Sequence, residues 1–231
     1  MIRLGVIDSG VSEQWLTSSG IAIGEIRDFT GANTFDDQLG HGSAVMAGIG
    51  ASNVELWLAR VFDDRLTCPV TRIIDALEWL LACDVQLVNM SFGMTRADAN
   101  FEAAVQALVS RGAVLIAASP AQGAVAYPAG FDGVIRATGD ARCGPDQLSF
   151  LNSLQADFGG FPGIPGAGLA GSSIGCAHVT RIACEVLARE LDADAEQQSP
   201  EMGKAQVDCG VVRAALRDRA NWLGPERRGV S

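Results

Sequence analysis

The sequence has few positive charges and no long apolar run. Its 231 residues include 17 basic and 27 acidic side chains, which gives a formal net charge of −10. Such a surface repels a phosphate backbone, so we expect no nucleic-acid partner. No stretch reaches the roughly 18 consecutive apolar residues of a membrane span, so we expect no membrane partner. The first residues, MIRLGVID, are typical of a β-strand. We therefore expect no signal peptide, no prodomain and a cytoplasmic location.

Cysteine and histidine are sparse and scattered. The two histidines are His41 and His178, and neither has a cysteine or another histidine at metal-ligand spacing. The cysteines contain no C-x-x-C pair, and in the expected compartment they stay reduced: Cys68, Cys83, Cys143, Cys176, Cys184 and Cys209. We therefore expect no structural metal and no cofactor.

Short apolar runs alternate with segments of helical periodicity along most of the chain. We expect strands at 4–7, 22–28, 55–61, 85–90, 113–118 and 133–137. We expect helices at 41–50, 70–82, 97–111, 173–191 and 208–222. This alternation predicts an α/β fold with three layers, in which a mostly parallel central sheet has helices on both faces.

The same pattern predicts one domain over residues 1–231, because no composition shift or internal repeat divides the chain. The segment 192–205, DADAEQQSPEMGKA, is polar and is predicted to be a surface connection.

Three residues that can carry chemistry lie where strands end or helices begin. Asp8 ends the first strand in GVIDSG, His41 opens a helix in LGHGSAV, and Ser173 opens another in GSSIGCAHV. Taken singly, an aspartate after a strand is usually a turn residue, and a serine at a helix start is usually an N-cap. A histidine between two glycines is harder to explain in this way, because glycine lets neighbouring backbone approach the ring closely.

Together, these three residue types are the parts of a nucleophilic catalyst. A serine hydroxyl needs a base within hydrogen-bond reach, and the base needs a carboxylate to fix its tautomer. The order Asp, His, Ser and the flanking segments DSG, GHGS and GSSIG resemble the three catalytic blocks of the subtilisin-like serine proteases, the subtilases. Two further segments, VNMSFG at 88–93 and AYPA at 126–129, match other blocks of that family. The resemblance extends from about residue 2 to residue 190.

The resemblance implies a role for each of the three residues. Ser173 would attack the scissile carbonyl, His41 would take its proton and return it to the leaving amine, and Asp8 would orient His41. The backbone N–H of Ser173, at the positive end of its helix, would stabilise the oxyanion.

The two further blocks imply substrate contacts. Ser91, Phe92 and Gly93 would hold a peptide as an added strand. Ala126 and Tyr127 would line the primary specificity pocket. Ala126 and nearby Met94 favour small or apolar side chains there.

A competing motif overlaps the serine block. Gly171 to Gly175 also satisfies G-x-S-x-G, the nucleophile elbow of α/β-hydrolases, which needs a downstream histidine. Here the downstream histidine is His178, on the same predicted helix and rotated well away from Ser173 at about 100° per residue. The elbow interpretation therefore fails, and His178 is predicted to be structural.

One departure from the family concerns the oxyanion hole. The family places a donor asparagine in an A-A-G-N segment, whereas this chain has Ala117-Ala118-Ser119-Pro120. Proline offers no donor, and losing one such donor costs about 10²–10³ in turnover. Ser119 or Gln122 could supply a substitute donor. Otherwise the enzyme is slow and serves one dedicated substrate, or the chain binds peptides without cutting them.

These features favour a serine endopeptidase that makes a limited cut in one partner polypeptide, in the manner of leader-peptide maturases. The maturase of the small subunit of quinohemoprotein amine dehydrogenase is the parallel we suggest. The alternatives are a non-catalytic relative that binds peptides on the same strand edge, and an esterase or amidase for small molecules. The sequence names neither the partner nor the cleavage site.

Overall fold

A mostly parallel β-sheet runs through the molecule. The computed structural model describes residues 1–50, 53–164, 170–197 and 209–226. The strands in chain order are β1 (Ile2–Asp8), β2 (Ala22–Asp28), β3 (Val54–Arg60), β4 (Leu87–Met90), β5 (Val114–Ala118), β6 (Val134–Gly139), β7 (Leu148–Phe150), β8 (Phe158–Gly160) and β9 (Trp222–Leu223). The helices are α1 (Glu13–Ser19), α2 (His41–Ile49), α3 (Val70–Ala82), α4 (Ala99–Ser110), α5 (Ser172–Gln197) and α6 (Cys209–Asp218).

Within the described residues, the strands form one sheet in the order β2-β3-β1-β4-β5-β6-β8-β7-β9. All neighbouring pairs are parallel except β7 and β8, which are antiparallel. The predicted α/β class and mostly parallel sheet are therefore confirmed. Because β1 and β4 are central and adjacent, the residues that follow them lie side by side at the carboxyl edge of the sheet, where parallel α/β folds place their sites.

Helices cover both faces of the sheet. On one face, α2, α5 and α6 bury apolar side chains such as Val45, Ile182 and Leu216 against the strands. On the other face, α3 and α4 bury a second cluster that includes Leu77 and Phe101. In α3 the apolar positions recur at helical spacing, so one side faces the sheet and the other faces water. Among the described helices, none combines the length and the apolar content of a membrane span.

The structure corrects two predictions near the end of the chain. The connection predicted for 192–205 is wrong for its first six residues, because α5 continues to Gln197. This stretch holds the helix formers Ala, Glu and Gln and no Gly or Pro, so an existing helix propagates through it. Residues 198–205 lie outside the described residues.

The helix predicted for 208–222 ends earlier, because α6 ends at Asp218 and Trp222 belongs to β9. Asn221 causes the change of structure. Its backbone N–H donates to Leu148 O at 2.7 Å and its Oδ1 accepts from Leu148 N at 3.0 Å, which starts the pairing of β9 with β7. The six cysteines form no disulfide in the described residues.

Candidate active site

Asp8 and His41 form a hydrogen-bonded pair at the carboxyl end of β1. Asp8 is fully buried, and its Oδ1 lies 2.7 Å from His41 Nδ1. The same oxygen accepts the backbone N–H of Ser9 at 2.8 Å. Since an ionised carboxylate only accepts hydrogen bonds, Nδ1 carries the ring proton in the neutral imidazole. Nε2 is then unprotonated, which is the tautomer that a general base needs.

Close backbone packing fixes the position of His41. Its helix α2 follows Gly40, which has φ of 71°, in the left-handed region. The next residue, Gly42, lies against the loop after β1, and a Cβ there would lie 2.1 Å from Gly10 O. The two glycines that flank His41 therefore have different roles. Gly40 makes the turn before α2, and Gly42 allows α2 to pack against the loop after β1.

A second carboxylate, Asp37, supports this pair. Its Oδ1 accepts the Ser9 hydroxyl at 2.7 Å, and its Oδ2 accepts the backbone N–H of Ser43 at 2.7 Å. The Ser9 Oγ in turn accepts the backbone N–H of Gly42 at 2.9 Å. Asp37 and Ser9 thus satisfy the first amides of α2, which carry partial positive charge. Sequence reasoning missed Asp37, although an acid four residues before a candidate base is a usable signal.

Four effects act on the pKa of His41. Burial lowers it, but the hydrogen bond that the ring donates to Asp8, the charge of Asp8 and the charge of Asp37 outweigh burial, so the pKa is raised above its ordinary value of 6.5. The surroundings therefore favour the imidazolium that a base becomes when it takes a proton.

Ser173 lies in the first turn of α5 and is half-buried. The helix reaches this place because Gly175 has no side chain. A Cβ there would lie 2.3 Å from the carbonyl oxygen of Thr138, near the carboxyl end of β6. Gly171, with φ of 136°, makes the turn into the helix. The glycines on both sides of Ser173 thus bring the start of α5 against β6.

A reciprocal pair of hydrogen bonds joins Ser173 to Ser91, just after β4. The Ser173 hydroxyl donates to Ser91 O at 2.8 Å, and the Ser91 hydroxyl donates to Ser173 O at 3.0 Å. Buried Asn89 extends this contact by donating from Nδ2 to the Ser91 hydroxyl at 3.0 Å. His41 and Ser173, which both lie within the described residues, make no hydrogen bond with each other. A hydroxyl has one proton, so the Ser173 hydroxyl must release Ser91 O before it can donate to His41.

The segment after β4 runs beside the segment at 126–128. Met94 and Tyr127 exchange backbone hydrogen bonds of 2.7 and 2.8 Å. Gly93 faces Ala126 so closely that a Cβ on Gly93 would lie 2.9 Å from the Ala126 methyl. The Phe92 ring packs edge-on against Phe62, with centroids 5.5 Å apart. The structure thus brings together the two segments to which the family resemblance gives substrate contacts.

The backbone of Phe92 and Gly93 leaves an edge open. Among the described residues, neither residue uses its backbone N–H or C=O in a hydrogen bond with other backbone groups. Such groups can pair with an added extended peptide.

The predicted substitute donors differ in their surroundings. Ser119 is 1% exposed, its hydroxyl donates to Gln155 O at 2.5 Å, and its N–H donates to Ala137 O. Both donors of Ser119 are therefore used inside the protein. Gln122 is exposed, and within the described residues its side chain makes no hydrogen bond. Pro120 lies between them, in the turn after β5.

His178 is buried in α5, with 7% of its surface exposed. Its Nε2 lies 3.2 Å from Gly163 O, and its ring packs against Phe161. Burial lowers the pKa of His178, so the neutral form is favoured. This environment agrees with the structural role expected for it.

Known proteases are similar to this chain in sequence and in fold. M-protease of Shouchella clausii (strain KSM-K16) is 27% identical, over 96% of this chain and 60% of that protein. Subtilisin Savinase of Lederbergia lenta is also 27% identical, over 96% of this chain and 84% of that protein. The chain is similar to subtilisin-like proteases over nearly its whole length. This similarity supports the subtilase family. No family model matches the chain.

Solved structures extend the comparison to the fold. The S41 psychrophilic protease superposes with a TM-score of 0.65 at 19% identity, over 96% of this chain and 85% of that one. The prenylagaramide maturation protease PagA superposes with a TM-score of 0.60 at 19% identity, over 84% of this chain and 77% of that one. The fold described above is therefore shared with these two proteases. The chain spans only about 60% of the length of M-protease.

Proposed function

We propose that the protein is a serine endopeptidase that uses Asp8, His41 and Ser173. Ser173 Oγ attacks the scissile carbonyl while His41 Nε2 takes its proton. The imidazolium then gives this proton to the leaving amine, and an acyl-enzyme remains on Ser173. Water attacks the acyl group with His41 again as base, which releases the second product and restores the hydroxyl.

The observation that carries this proposal is the 2.7 Å contact between fully buried Asp8 and His41 Nδ1. A lone structural histidine does not need a buried carboxylate on one nitrogen and an unprotonated second nitrogen. The raised pKa of His41 further supports its role as proton acceptor. The position of Ser173 in the first turn of α5 supports oxyanion stabilisation by its own N–H.

The substrate is a polypeptide that pairs with the open backbone edge of Phe92 and Gly93. The close approach of Gly93 and Ala126 leaves little depth between the two segments, which favours a small side chain before the scissile bond. Specificity then comes from backbone pairing and from contacts further along the peptide.

The cut is limited and serves one dedicated precursor, as in leader-peptide removal. Both Ser119 donors are used inside the protein, and Pro120 has no N–H, so the oxyanion hole lacks an evident second donor. A peptidase with this deficit has to gain rate from remote binding energy, which only an extended, specific substrate supplies. The likeness in fold to the prenylagaramide maturation protease PagA agrees with this class of substrate.

A second candidate is a module that binds the same peptide and does not cut it. The bond from the Ser173 hydroxyl to Ser91 O favours it, because that conformation directs the hydroxyl proton away from His41.

A fluorophosphonate probe separates the two candidates. We expect one adduct, mapped by mass spectrometry to Ser173, and none in Ser173→Ala. Ser172→Ala is the matched control, because its hydroxyl lies 3.1 Å from Thr138 Oγ1 and its loss leaves the nucleophile in place. A folded protein that takes no label, while Ser173→Ala keeps full biological function, would establish binding alone.

Mass spectrometry of candidate precursors after incubation tests the dedicated cut. We expect one cleavage in one precursor and little turnover of small esters. Fast hydrolysis of small esters with no cleavage of any polypeptide would establish a small-molecule esterase.

A further inference from the structure

The edge strand β2 offers an open backbone edge, separated by β3 from the strand β1 that carries Asp8. Within the part of the chain that the structure describes, β2 pairs only with β3, with a register shift between Ile23 and Glu25, and it ends the sheet on that side. Among the described residues, no group outside β3 makes a hydrogen bond with the backbone of Ala22–Arg27. Natural edge strands of this length are usually covered, interrupted or paired.

The direction of the backbone groups along β2 follows from one hydrogen bond. Phe29 N donates to Arg60 O on the β3 side at 2.9 Å. Because backbone groups alternate along a strand, Arg27 and Glu25 also direct theirs towards β3. Ile26 therefore directs its N–H and C=O outwards, where a further strand would lie.

The charges on β2 complement those of a second copy. Glu25 and Arg27 project on one face, joined by a 2.8 Å ion pair, and their side chains are 41% and 46% exposed. In an antiparallel pair centred on Ile26, Glu25 of each copy lies opposite Arg27 of the other. Ile26 pairs with its own copy through two hydrogen bonds, and the charged residues occupy the closer, non-hydrogen-bonded positions. A pair centred on Arg27 would instead place two arginines opposite each other.

We propose that β2 is the contact of a two-fold symmetric homodimer, in which the sheets of two copies join through antiparallel pairing centred on Ile26. Each copy contributes the same residues, so the contact closes on itself and does not extend into a fibre. The four charges form a square in which every neighbour has the opposite sign.

Charge exchange tests this dimer, with sedimentation equilibrium as the readout. We expect the native chain to dimerise reversibly. Glu25→Lys and Arg27→Glu each make both cross-strand pairs repulsive, which raises the dissociation constant about tenfold or more. An equimolar mixture of the two single variants restores the dimer as a heterodimer, and the double variant Glu25→Lys/Arg27→Glu restores the homodimer.

The matched control is Arg65→Glu, an exposed arginine paired with Asp64. It makes the same change of charge as Arg27→Glu but at a site outside β2. We expect it to leave the dissociation constant of the dimer unchanged. A native chain that stays monomeric at its highest soluble concentration would overturn the proposal, and Glu25 and Arg27 would then only keep the edge from pairing. Single variants that dimerise as the native chain does, or a mixture that fails to restore dimers, would also overturn it.

Discussion

The two sides of the candidate site differ in how fully their polar groups are organised. The acid–base side consists of Asp8, Ser9, Asp37 and His41, and short hydrogen bonds tie these residues to each other and to the first amides of α2. The oxyanion side consists of Ser119, Pro120 and Gln122, where the second oxyanion donor is expected. Its buried serine bonds elsewhere, its proline cannot donate, and its glutamine is exposed.

This difference separates two requirements of catalysis. Activating a nucleophile needs a base of the right tautomer, which the acid–base side holds ready. Stabilising the oxyanion needs hydrogen-bond donors directed at a charge that forms only in the transition state. The oxyanion side has no such donor in place. We therefore expect the base to be well prepared and oxyanion stabilisation to limit the rate.

The largest effect is expected on the acid–base side, from Asp8→Asn. An amide at this place favours the wrong tautomer of His41, so the rate of Ser173 phosphonylation should fall about 10⁴-fold. Stopped-time labelling followed by mass spectrometry measures this rate. A fall of less than tenfold would show that Asp8 does not orient the base.

The next largest effect is a gain, from Pro120→Asn. An asparagine supplies a side-chain donor that proline lacks, and one oxyanion donor is worth about 10²–10³ in turnover. The rate of precursor cleavage is the readout, because a gain there requires transition-state stabilisation. An unchanged rate in a folded variant would mean that another group already supplies the second donor to the oxyanion.

A smaller effect distinguishes the two substitute donors. Gln122→Ala should lower turnover about tenfold or more with little change in substrate affinity, if the glutamine turns towards the oxyanion. Ser119→Ala should leave turnover unchanged and lower the free energy of unfolding by about 1–3 kcal/mol, because Gln155 O then loses a buried donor. The reverse result, with turnover lost in Ser119→Ala alone, would make Ser119 the donor.

The smallest effect is a shift along the pH axis, from Asp37→Asn. His41 acts as a base only when neutral, so the labelling rate falls as the pH falls through its pKa, which lies above the ordinary 6.5. Removing the Asp37 charge lowers that pKa and moves the acidic limb of the profile to lower pH. The plateau at high pH should change little. An acidic limb that stays in place would exclude Asp37 from the electrostatics of His41.

The same raised pKa has a consequence for stability. A group whose pKa is higher in the folded state stabilises the fold below its unfolded pKa and loses this contribution as the pH rises through the folded value. The Asp8–His41 pair therefore contributes most to stability where His41 is least active as a base.

The sequence allowed the central sheet to be predicted because buried parallel strands are continuous apolar runs. Strand β2 and helix α3 have the predicted bounds, 22–28 and 70–82. The short strands β7, β8 and β9 were missed, since they hold two or three residues each and depend on partners distant in sequence. Helix α1 was also missed, because only its N-cap Ser12, which accepts from Trp15 N, marks its start.

The candidate site divides in a similar way. Asp8 and His41 were predicted to meet, and the structure places them in contact, because both lie at the edge that the topology fixes. The direction of the Ser173 hydroxyl could not be predicted, since a side-chain rotamer depends on the local acceptor, here Ser91 O. The use of the Ser119 hydroxyl by Gln155 O depends in the same way on a residue 36 positions further along the chain.

The structure of a fluorophosphonate adduct tests most directly whether the Asp8–His41 pair serves Ser173. We expect phosphorus on Ser173 Oγ, a phosphonyl oxygen that accepts the Ser173 N–H, and His41 Nε2 within hydrogen-bond distance of Ser173 Oγ. A protein that stays unmodified, with the Ser173 hydroxyl still donating to Ser91 O and His41 out of its reach, would contradict the proposed catalysis.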